Sequence, residues 1–125
     1  MDKVVHFEIP MDDAARAKEF YGSIFGWEIQ SMEEFGYTLV TTTPVDQTTM
    51  TPAEPGAING GMMARDALTP APVITIGVDS IDDALERIEQ AGGSTVTPRT
   101  AMGGAGAFAY FKDSEGNVLG LWETT

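Results

Sequence analysis

The sequence predicts an α+β fold made of two βαβββ modules, because one order of elements occurs twice. Residues 4–9 form an extended run rich in β-branched and aromatic residues, and a helix-like run follows from residue 12 to about residue 25. Residues 73–78 and 80–91 repeat this order later in the chain. Three short extended segments follow each helix, so both halves predict the same series of elements.

The first helix has a start signal and a stop signal. Asp12 or Asp13 is its candidate N-cap, and Gly26 follows its last apolar residue. Pro10 is expected to end the preceding strand because proline lacks a backbone N–H. The apolar positions recur at helical spacing, which predicts that one face packs inward: they are Ala17, Phe20, Tyr21, Ile24 and Phe25. The extended candidates of this module are residues 27–29, 37–42 and 58–63.

The second helix is marked in the same way. Ser80 is its candidate N-cap, and Gly92 and Gly93 end it. Its apolar positions are Ile81, Ala84, Leu85, Ile88 and Ala91, and the extended segments after it are residues 94–97, 108–111 and 118–122. Residues 65–71 are proline-containing and predict a linker between the repeats. We therefore expect one domain, 1–125, made of repeats at about 1–64 and 72–125.

Composition narrows the range of partners and cofactors. Nineteen acidic and seven basic side chains give a net charge of −12, which repels phosphate backbones and anionic lipids, so we expect neither nucleic-acid nor membrane partners. No stretch approaches the roughly 20 apolar residues of a membrane helix, and the start has no signal-peptide core, which predicts a cytoplasmic protein. The absence of cysteine excludes disulfides and thiolate chemistry.

Three stretches of the chain resemble the vicinal oxygen chelate superfamily. They are the opening Val-Val-His-Phe-Glu-Ile-Pro, the helix Asp-Asp-Ala-Ala-Arg-Ala-Lys-Glu-Phe-Tyr, and the closing Phe-Lys-Asp-Ser-Glu-Gly-Asn-Val-Leu-Gly-Leu-Trp-Glu. The superfamily includes glyoxalase I, bleomycin-resistance proteins and extradiol dioxygenases. The resemblance implies that two modules pair into a curved β-sheet cup with helices outside, and that the chain forms a homodimer. It leaves open whether one chain or two chains form each cup.

Strand parity predicts which side chains face this cup, since alternate residues of a strand point to opposite faces. On the first strand His6 and Glu8 face it, and on the corresponding strand of the second repeat Thr75 does. The other candidate ligand-binding residues are Asn59, Met63 and Trp122, with either Phe108 and Tyr110 or Ala109 and Phe111 depending on register.

A complete metal site is not expected. The ligand positions that the resemblance implies are His6 and those near Asn59, Val73 and Gly120, and three of these are not strong ligands. A facial triad of two histidines and one carboxylate needs two imidazoles, and the chain has a single histidine. We therefore expect no cofactor; the weak candidates for holding a divalent metal are His6, Glu8 and Glu123.

His6 and Glu8 are the candidate catalytic pair. An imidazole with a pKa near about 6.5 both donates and accepts protons near neutral pH, and a nearby carboxylate favours its charged form. We expect metal-independent binding of a small, partly aromatic molecule between Trp122 and this pair. One alternative is a divalent-metal-dependent lyase or isomerase similar to glyoxalase I. A second alternative is a drug-sequestering protein similar to the bleomycin-resistance proteins.

Overall fold

A computed structural model describes all 125 residues of the chain. It contains eight β-strands, two α-helices and a short 3-10 turn at Glu33–Phe35, which confirms the α+β class and the two βαβββ modules. The chain divides into two compact units. The first unit is His6–Pro72, and the second unit is Met1–Val5 together with Val73–Thr125. Neither helix has the length and apolar character needed to cross a membrane.

The linker predicted at residues 65–71 lies inside the first unit, which continues to Pro72. The first five residues of the chain group with the second unit although they begin the first predicted repeat. The division of one domain into repeats at about 1–64 and 72–125 stays a prediction.

The first unit is a sheet with one helix. Its elements are β1 (Lys3–Met11, of which His6 onward belongs to this unit), α1 (Ala14–Phe25), β2 (Glu28–Met32), β3 (Tyr37–Thr41) and β4 (Gly60–Ala64). The strand order within the unit is β2-β3-β4-β1. Strands β1 and β4 are parallel, and the other neighbours are antiparallel.

Strand β1 runs through Pro10 to Met11, so the predicted strand end at Pro10 is wrong. Pro10 is paired in register with Met63 of the parallel neighbour. Proline lacks a donor but keeps its carbonyl, and its fixed φ is compatible with extended backbone. A strand therefore tolerates it wherever no neighbouring carbonyl requires that N–H.

The second unit repeats the topology of the first. Its elements are β5 (Val73–Gly77), α2 (Ile81–Gln90), β6 (Ser94–Ala101), β7 (Gly106–Lys112) and β8 (Val118–Thr124). The order is β5-β8-β7-β6, with β5 parallel to β8. In both units the strand before the helix pairs in parallel with the last strand of its module: β1 with β4, and β5 with β8. The two modules therefore repeat the same strand pairing as well as the same order of elements.

Both helices begin at the predicted caps. The Asp13 carboxylate accepts a hydrogen bond from the Arg16 backbone N–H at 2.9 Å, and Ser80 Oγ accepts one from the Asp83 N–H at 3.2 Å. Each cap satisfies a backbone donor that the first turn of a helix leaves free. Helix α1 ends at Gly26 with φ of 70°, a left-handed conformation that glycine adopts without strain.

Helix α2 packs against its sheet as its sequence predicts. Its buried residues belong to one apolar core with side chains of β7 and β8; the members are Ile81, Ala84, Leu85, Ala107, Ala109, Phe111 and Leu121. Burial of such side chains is the main source of folding free energy, so this core contributes to the stability of the second unit.

Helix α1 has no buried residue. Phe20, Ile24 and Phe25 are 54%, 63% and 57% exposed, so the prediction that they pack inward is wrong. The helix meets its sheet through Trp27, which stacks on Tyr21 at 5.2 Å between ring centroids and contacts Phe7 at 5.8 Å. Ala17 and Tyr21 are half-buried, whereas Phe20, Ile24 and Phe25 lie at the surface.

Candidate functional site

Three side chains form a hydrogen-bonded chain in the first unit, which we call the His6 network: His6, Tyr37 and Glu8. Tyr37 Oη lies 2.8 Å from His6 Nε2 and donates a hydrogen bond to Glu8 Oε2, also at 2.8 Å. Glu8 is 7% exposed, whereas His6 and Tyr37 are half-buried. The structure therefore brings the predicted pair together, with the phenol of Tyr37 between its two members.

The pairing of three strands explains why these side chains meet. His6 and Glu8 are two residues apart on β1 and point to the same face. Glu8 is paired with Gly61 of β4, and Gly61 is paired with Leu39 of β3. Paired residues share a face, so Leu39 and its next-but-one neighbour Tyr37 lie on the face that carries the network.

Gly61 makes the space that the network occupies. A Cβ atom at this position would overlap the hydroxyl group of Tyr37. Any larger residue would displace the phenol from His6 and Glu8. Neither Tyr37 nor Gly61 was predicted as a site residue. The Gly60-Gly61 pair inside a predicted strand was the available signal, because glycine in a strand often marks the close approach of another group.

Burial lowers the pKa of His6 below its ordinary value, and the negative charge of Glu8 opposes this shift without cancelling it. The expectation that Glu8 favours the charged imidazole has the right sign. The larger effect is desolvation, which disfavours the charged ring. Burial therefore favours the neutral form of the His6 ring. Burial cannot be read from the sequence alone. The effect of the Glu8 charge on the pKa of His6 was therefore predicted, and the larger effect of desolvation was not.

The two other predicted site residues of the first unit differ in their contacts. Asn59 Oδ1 accepts hydrogen bonds from the backbone N–H groups of Thr42 and Thr43 at 2.8 and 3.0 Å, and Asn59 Nδ2 donates to Thr43 O at 3.2 Å. Asn59 therefore holds the chain that leaves β3. Met63 is half-buried and lies two residues after Gly61, so it shares the face of the His6 network.

The remaining predicted residues share one face of the second unit. Thr75 and Tyr110 are both paired with Gly120, and Phe108 is paired with Trp122. Thr75 is 6% exposed. A Cβ atom at Gly120 would lie 2.6 Å from Thr75 Oγ1, so the glycine gives the threonine its space.

This register decides between the two sets of aromatic residues that the sequence left open. Phe108 and Tyr110 lie on the face of Trp122, whereas Ala109 and Phe111 are buried in the core against α2. The structure thus places Thr75, Tyr110 and Trp122 on one surface. Their role in binding a ligand stays a prediction.

The donors present do not fit a resident divalent metal. The Glu123 carboxylate accepts hydrogen bonds from Arg99 Nη2 at 2.8 Å and from the Ile81 N–H at 2.7 Å, and both lower its pKa. His6 Nε2 is bonded to Tyr37. No group of three or more histidine, aspartate and glutamate side chains converges in a geometry that could hold a metal ion. Glu123 instead pairs with a cation and caps helix α2.

An open cavity of about 510 Å³ lies elsewhere, in the second unit at the start of helix α2. Its lining is mainly acidic, with Asp79, Asp83 and Glu86 beside Arg87. No residue of the His6 network lines it. The cavity is therefore distinct from the predicted site.

Comparison with known sequences finds similarity to a family model in the first module. Residues 3–43 match the family model described as bleomycin resistance protein-like N-terminal. Over 120 residues the chain is 28% identical to proteins of Mycobacterium bovis and Mycobacterium tuberculosis named "Putative glyoxylase CFP32". The match covers 93% of this chain and 43% of each relative. The chain thus spans less than half the length of the curated relatives it matches.

Comparison with solved structures covers nearly the whole chain. A Streptomyces coelicolor methylmalonyl-CoA epimerase in complex with 2-nitronate-propionyl-CoA has a TM-score of 0.66 at 16% identity, over 98% of this chain and 97% of that one. Hypothetical protein BH1468 from Bacillus halodurans has a TM-score of 0.65 at 13% identity, over 99% and 95%. At such identities the likeness establishes the fold.

The chain has the vicinal oxygen chelate fold, and the resemblance inferred from its sequence is confirmed. Its sequence is similar to a bleomycin-resistance-like family model over residues 3–43 and, at 28% identity, to proteins named as putative glyoxylases.

Proposed function

We propose that this protein binds a small, partly aromatic organic molecule on the sheet face that carries the His6 network, without a resident metal. The observation that carries this proposal is the network itself, in which an imidazole, a phenol and a carboxylate converge on a half-buried surface. Ligand sites are commonly apolar with a few convergent polar groups. Leu39, which is 41% exposed, and Met63 provide apolar surface on the same face.

The cost of the network supports a functional role. Burying a carboxylate such as Glu8 is unfavourable unless it is hydrogen-bonded, and a glycine inside a strand weakens that strand by roughly 0.5–1 kcal/mol relative to alanine. A purely structural packing of this face would be more stable with apolar residues at positions 8 and 61. His6 stays half-buried, which keeps its ring within reach of a ligand.

The direct test is ligand binding in the presence of a chelator. We expect saturable binding of phenol, followed by nuclear magnetic resonance, and a loss of roughly tenfold or more in affinity in His6→Ala. Lys18→Ala, on the exposed side of α1, is the control and should bind as the parent does. A folded His6→Ala variant that binds phenol as tightly as the parent contradicts the proposal. Trp122→Ala tests in the same way the predicted contribution of the second unit.

Lyase or isomerase chemistry similar to that of glyoxalase I is a second candidate. It is favoured by the names of the relatives, which are a glyoxylase and an epimerase. The cofactor that it implies is a divalent metal, for which the side chains present are a poor fit. Elemental analysis discriminates between the candidates: stoichiometric nickel, zinc, manganese or cobalt that is lost in His6→Ala would establish the metal-dependent alternative.

Drug sequestration is a third candidate, favoured by the match of residues 3–43 to a bleomycin-resistance-like family model. A net charge of −12 attracts cationic compounds over a distance. Calorimetry with bleomycin tests this function, and an absence of heat at millimolar ligand would contradict it.

We also propose a homodimer in the cytoplasm. Two-fold dimers are the commonest homo-oligomers, and the exposed Phe20, Ile24 and Phe25 of α1 are suited to a protein interface. Sedimentation of the purified protein at several concentrations measures the assembly. A monomer at all concentrations would contradict it.

A further inference from the structure

The direction of the hydrogen bonds in the His6 network determines which ring nitrogen of His6 carries the proton. A carboxylate only accepts hydrogen bonds, so Tyr37 gives its single hydroxyl proton to Glu8 Oε2 at 2.8 Å. Tyr37 Oη then accepts from His6, and the ring atom 2.8 Å away is Nε2. Neutral His6 therefore has its proton on Nε2 and its lone pair on Nδ1.

This lone pair is open to a ligand. The hydrogen bond of His6 uses Nε2. The buried side-chain polar atom that lacks a partner is Thr43 Oγ1 and not an atom of the imidazole. Nδ1 has no hydrogen-bond partner within the protein and is not among its buried side-chain atoms without a partner, so it is not fully buried.

We infer that His6 Nδ1 accepts a hydrogen bond from the ligand and that the site selects aromatic alcohols over molecules of the same shape without a donor. This inference rests on the proposed function. An ether or a carboxylate presents its own lone pairs to Nδ1 and gains no bond there. Leu39 and Met63 on the same face favour an otherwise apolar molecule. Tyr37 is a positioning residue, because it acts through the proton position of His6.

The proton position is measurable without any ligand. His6 is the single histidine of the chain, so nitrogen-15 labelling of histidine gives one pair of ring signals that need no further assignment. At about pH 7.5 we expect a protonated Nε2 and an unprotonated Nδ1. A protonated Nδ1 in the ligand-free protein would overturn the inference and leave the proposed function intact.

Phenol and anisole form the matched ligand pair, since they share a ring and differ in the hydroxyl donor. We expect phenol to shift the Nδ1 signal and to bind roughly 3- to 10-fold more tightly than anisole, the range that one hydrogen bond provides. Equal affinities would overturn the inference while supporting the proposed function. Saturable binding of neither compound would overturn both.

Removing the phenol proton tests the positioning role. In Tyr37→Phe we expect His6 to populate both proton positions and the affinity for phenol to fall towards that for anisole. Tyr21→Phe is the matched control, because it deletes the same hydroxyl from a ring that stacks on Trp27 outside the network. An unchanged proton position and affinity in Tyr37→Phe would overturn the role of Tyr37.

A second variant keeps the test decisive if Tyr37→Phe does not fold. In Glu8→Gln the new amide can donate to Tyr37 Oη, which turns the phenol proton towards His6 Nε2. We expect the protonated-Nδ1 form to gain population and phenol to lose its advantage over anisole. A proton that stays on Nε2 alone, with that advantage intact, would overturn the inference.

Discussion

The two units share one strand order and differ in what they bury. In the second unit, helix α2 buries Ile81, Ala84 and Leu85 against its sheet. In the first unit, helix α1 has no fully buried residue, and the sheet carries a buried carboxylate, Glu8, in a polar network. The same strand order thus supports two different distributions of buried side chains. In the second unit the helix contributes fully buried apolar side chains to a core, and in the first unit the helix contributes none while the sheet carries the His6 network.

The largest expected difference between the units is the cost of truncating one apolar side chain on each helix. Leu85→Ala should lower the free energy of unfolding by about 2–5 kcal/mol, because it removes core contacts and leaves a cavity. Ile24→Ala should change it by about 0.5 kcal/mol, because Ile24 is 63% exposed. Urea denaturation measures both values, and similar losses would contradict the contrast between the helices.

The next effect concerns the glycine under Tyr37. Gly61→Ala displaces the phenol and leaves the buried Glu8 without its hydrogen bond from Tyr37, so we expect a loss of about 1–3 kcal/mol in unfolding free energy. Gly104→Ala is the control, because no atom lies within 4 Å of its added Cβ, and it should change stability by about 0.5 kcal/mol or less. A Gly61→Ala protein as stable as Gly104→Ala would show that the network is dispensable.

Removing the N-cap of each helix tests the same difference between α1 and α2 through a smaller change in stability. Asp13→Ala and Ser80→Ala should each cost about 1 kcal/mol. In α1 we expect the loss as faster hydrogen exchange of the helix amides alone, since few tertiary contacts couple this helix to the rest of its unit. In α2 we expect it in global unfolding, because the helix is part of a core. Equal local fraying in both helices would contradict this prediction.

The smallest effect is electrostatic. Glu8→Gln removes the negative charge that raises the pKa of His6 and leaves the desolvation that lowers it, so the pKa should fall further. The titration midpoint of the His6 ring signals measures this shift. A higher midpoint in the variant would show that Glu8 acts on His6 in some other way.

The lowered pKa of His6 also sets a pH dependence of stability. Between this pKa and the ordinary value of about 6.5, the unfolded chain binds more protons than the folded one. The contribution of His6 to stability is therefore present above about pH 6.5 and is lost as the pH falls through the folded pKa. Tyr37 is hydrogen-bonded to His6 and the charge of Glu8 acts on it, and His6→Gln is the control that removes this dependence.

The sequence predicted the elements well because their signals are local. Caps at Asp13 and Ser80 and a glycine at position 26 depend on neighbouring residues, and all three were correct. Strand parity also placed His6 and Glu8 on one face. The exposure of α1 was not predictable, because helical periodicity identifies an apolar face without identifying what covers it.

Tyr37 was missed because its role depends on the pairing of distant strands. It lies 31 residues from His6 and 29 from Glu8. Its position over Gly61 follows from the register of β3 on β4, and residues 42–59 that join these strands do not determine that register. The lowered pKa of His6 could not be predicted either, because it depends on burial, which no local sequence pattern determines.

Gly120 holds the position in the second unit that Gly61 holds in the first. It stands opposite Thr75 in the same register in which Gly61 stands opposite Glu8. At the positions that correspond to His6, Glu8 and Tyr37, the second unit has Val73, Thr75 and Phe108. The strand register that brings an imidazole, a phenol and a carboxylate together is thus present in both units, and the side chains at three equivalent positions confine the His6 network to the first unit.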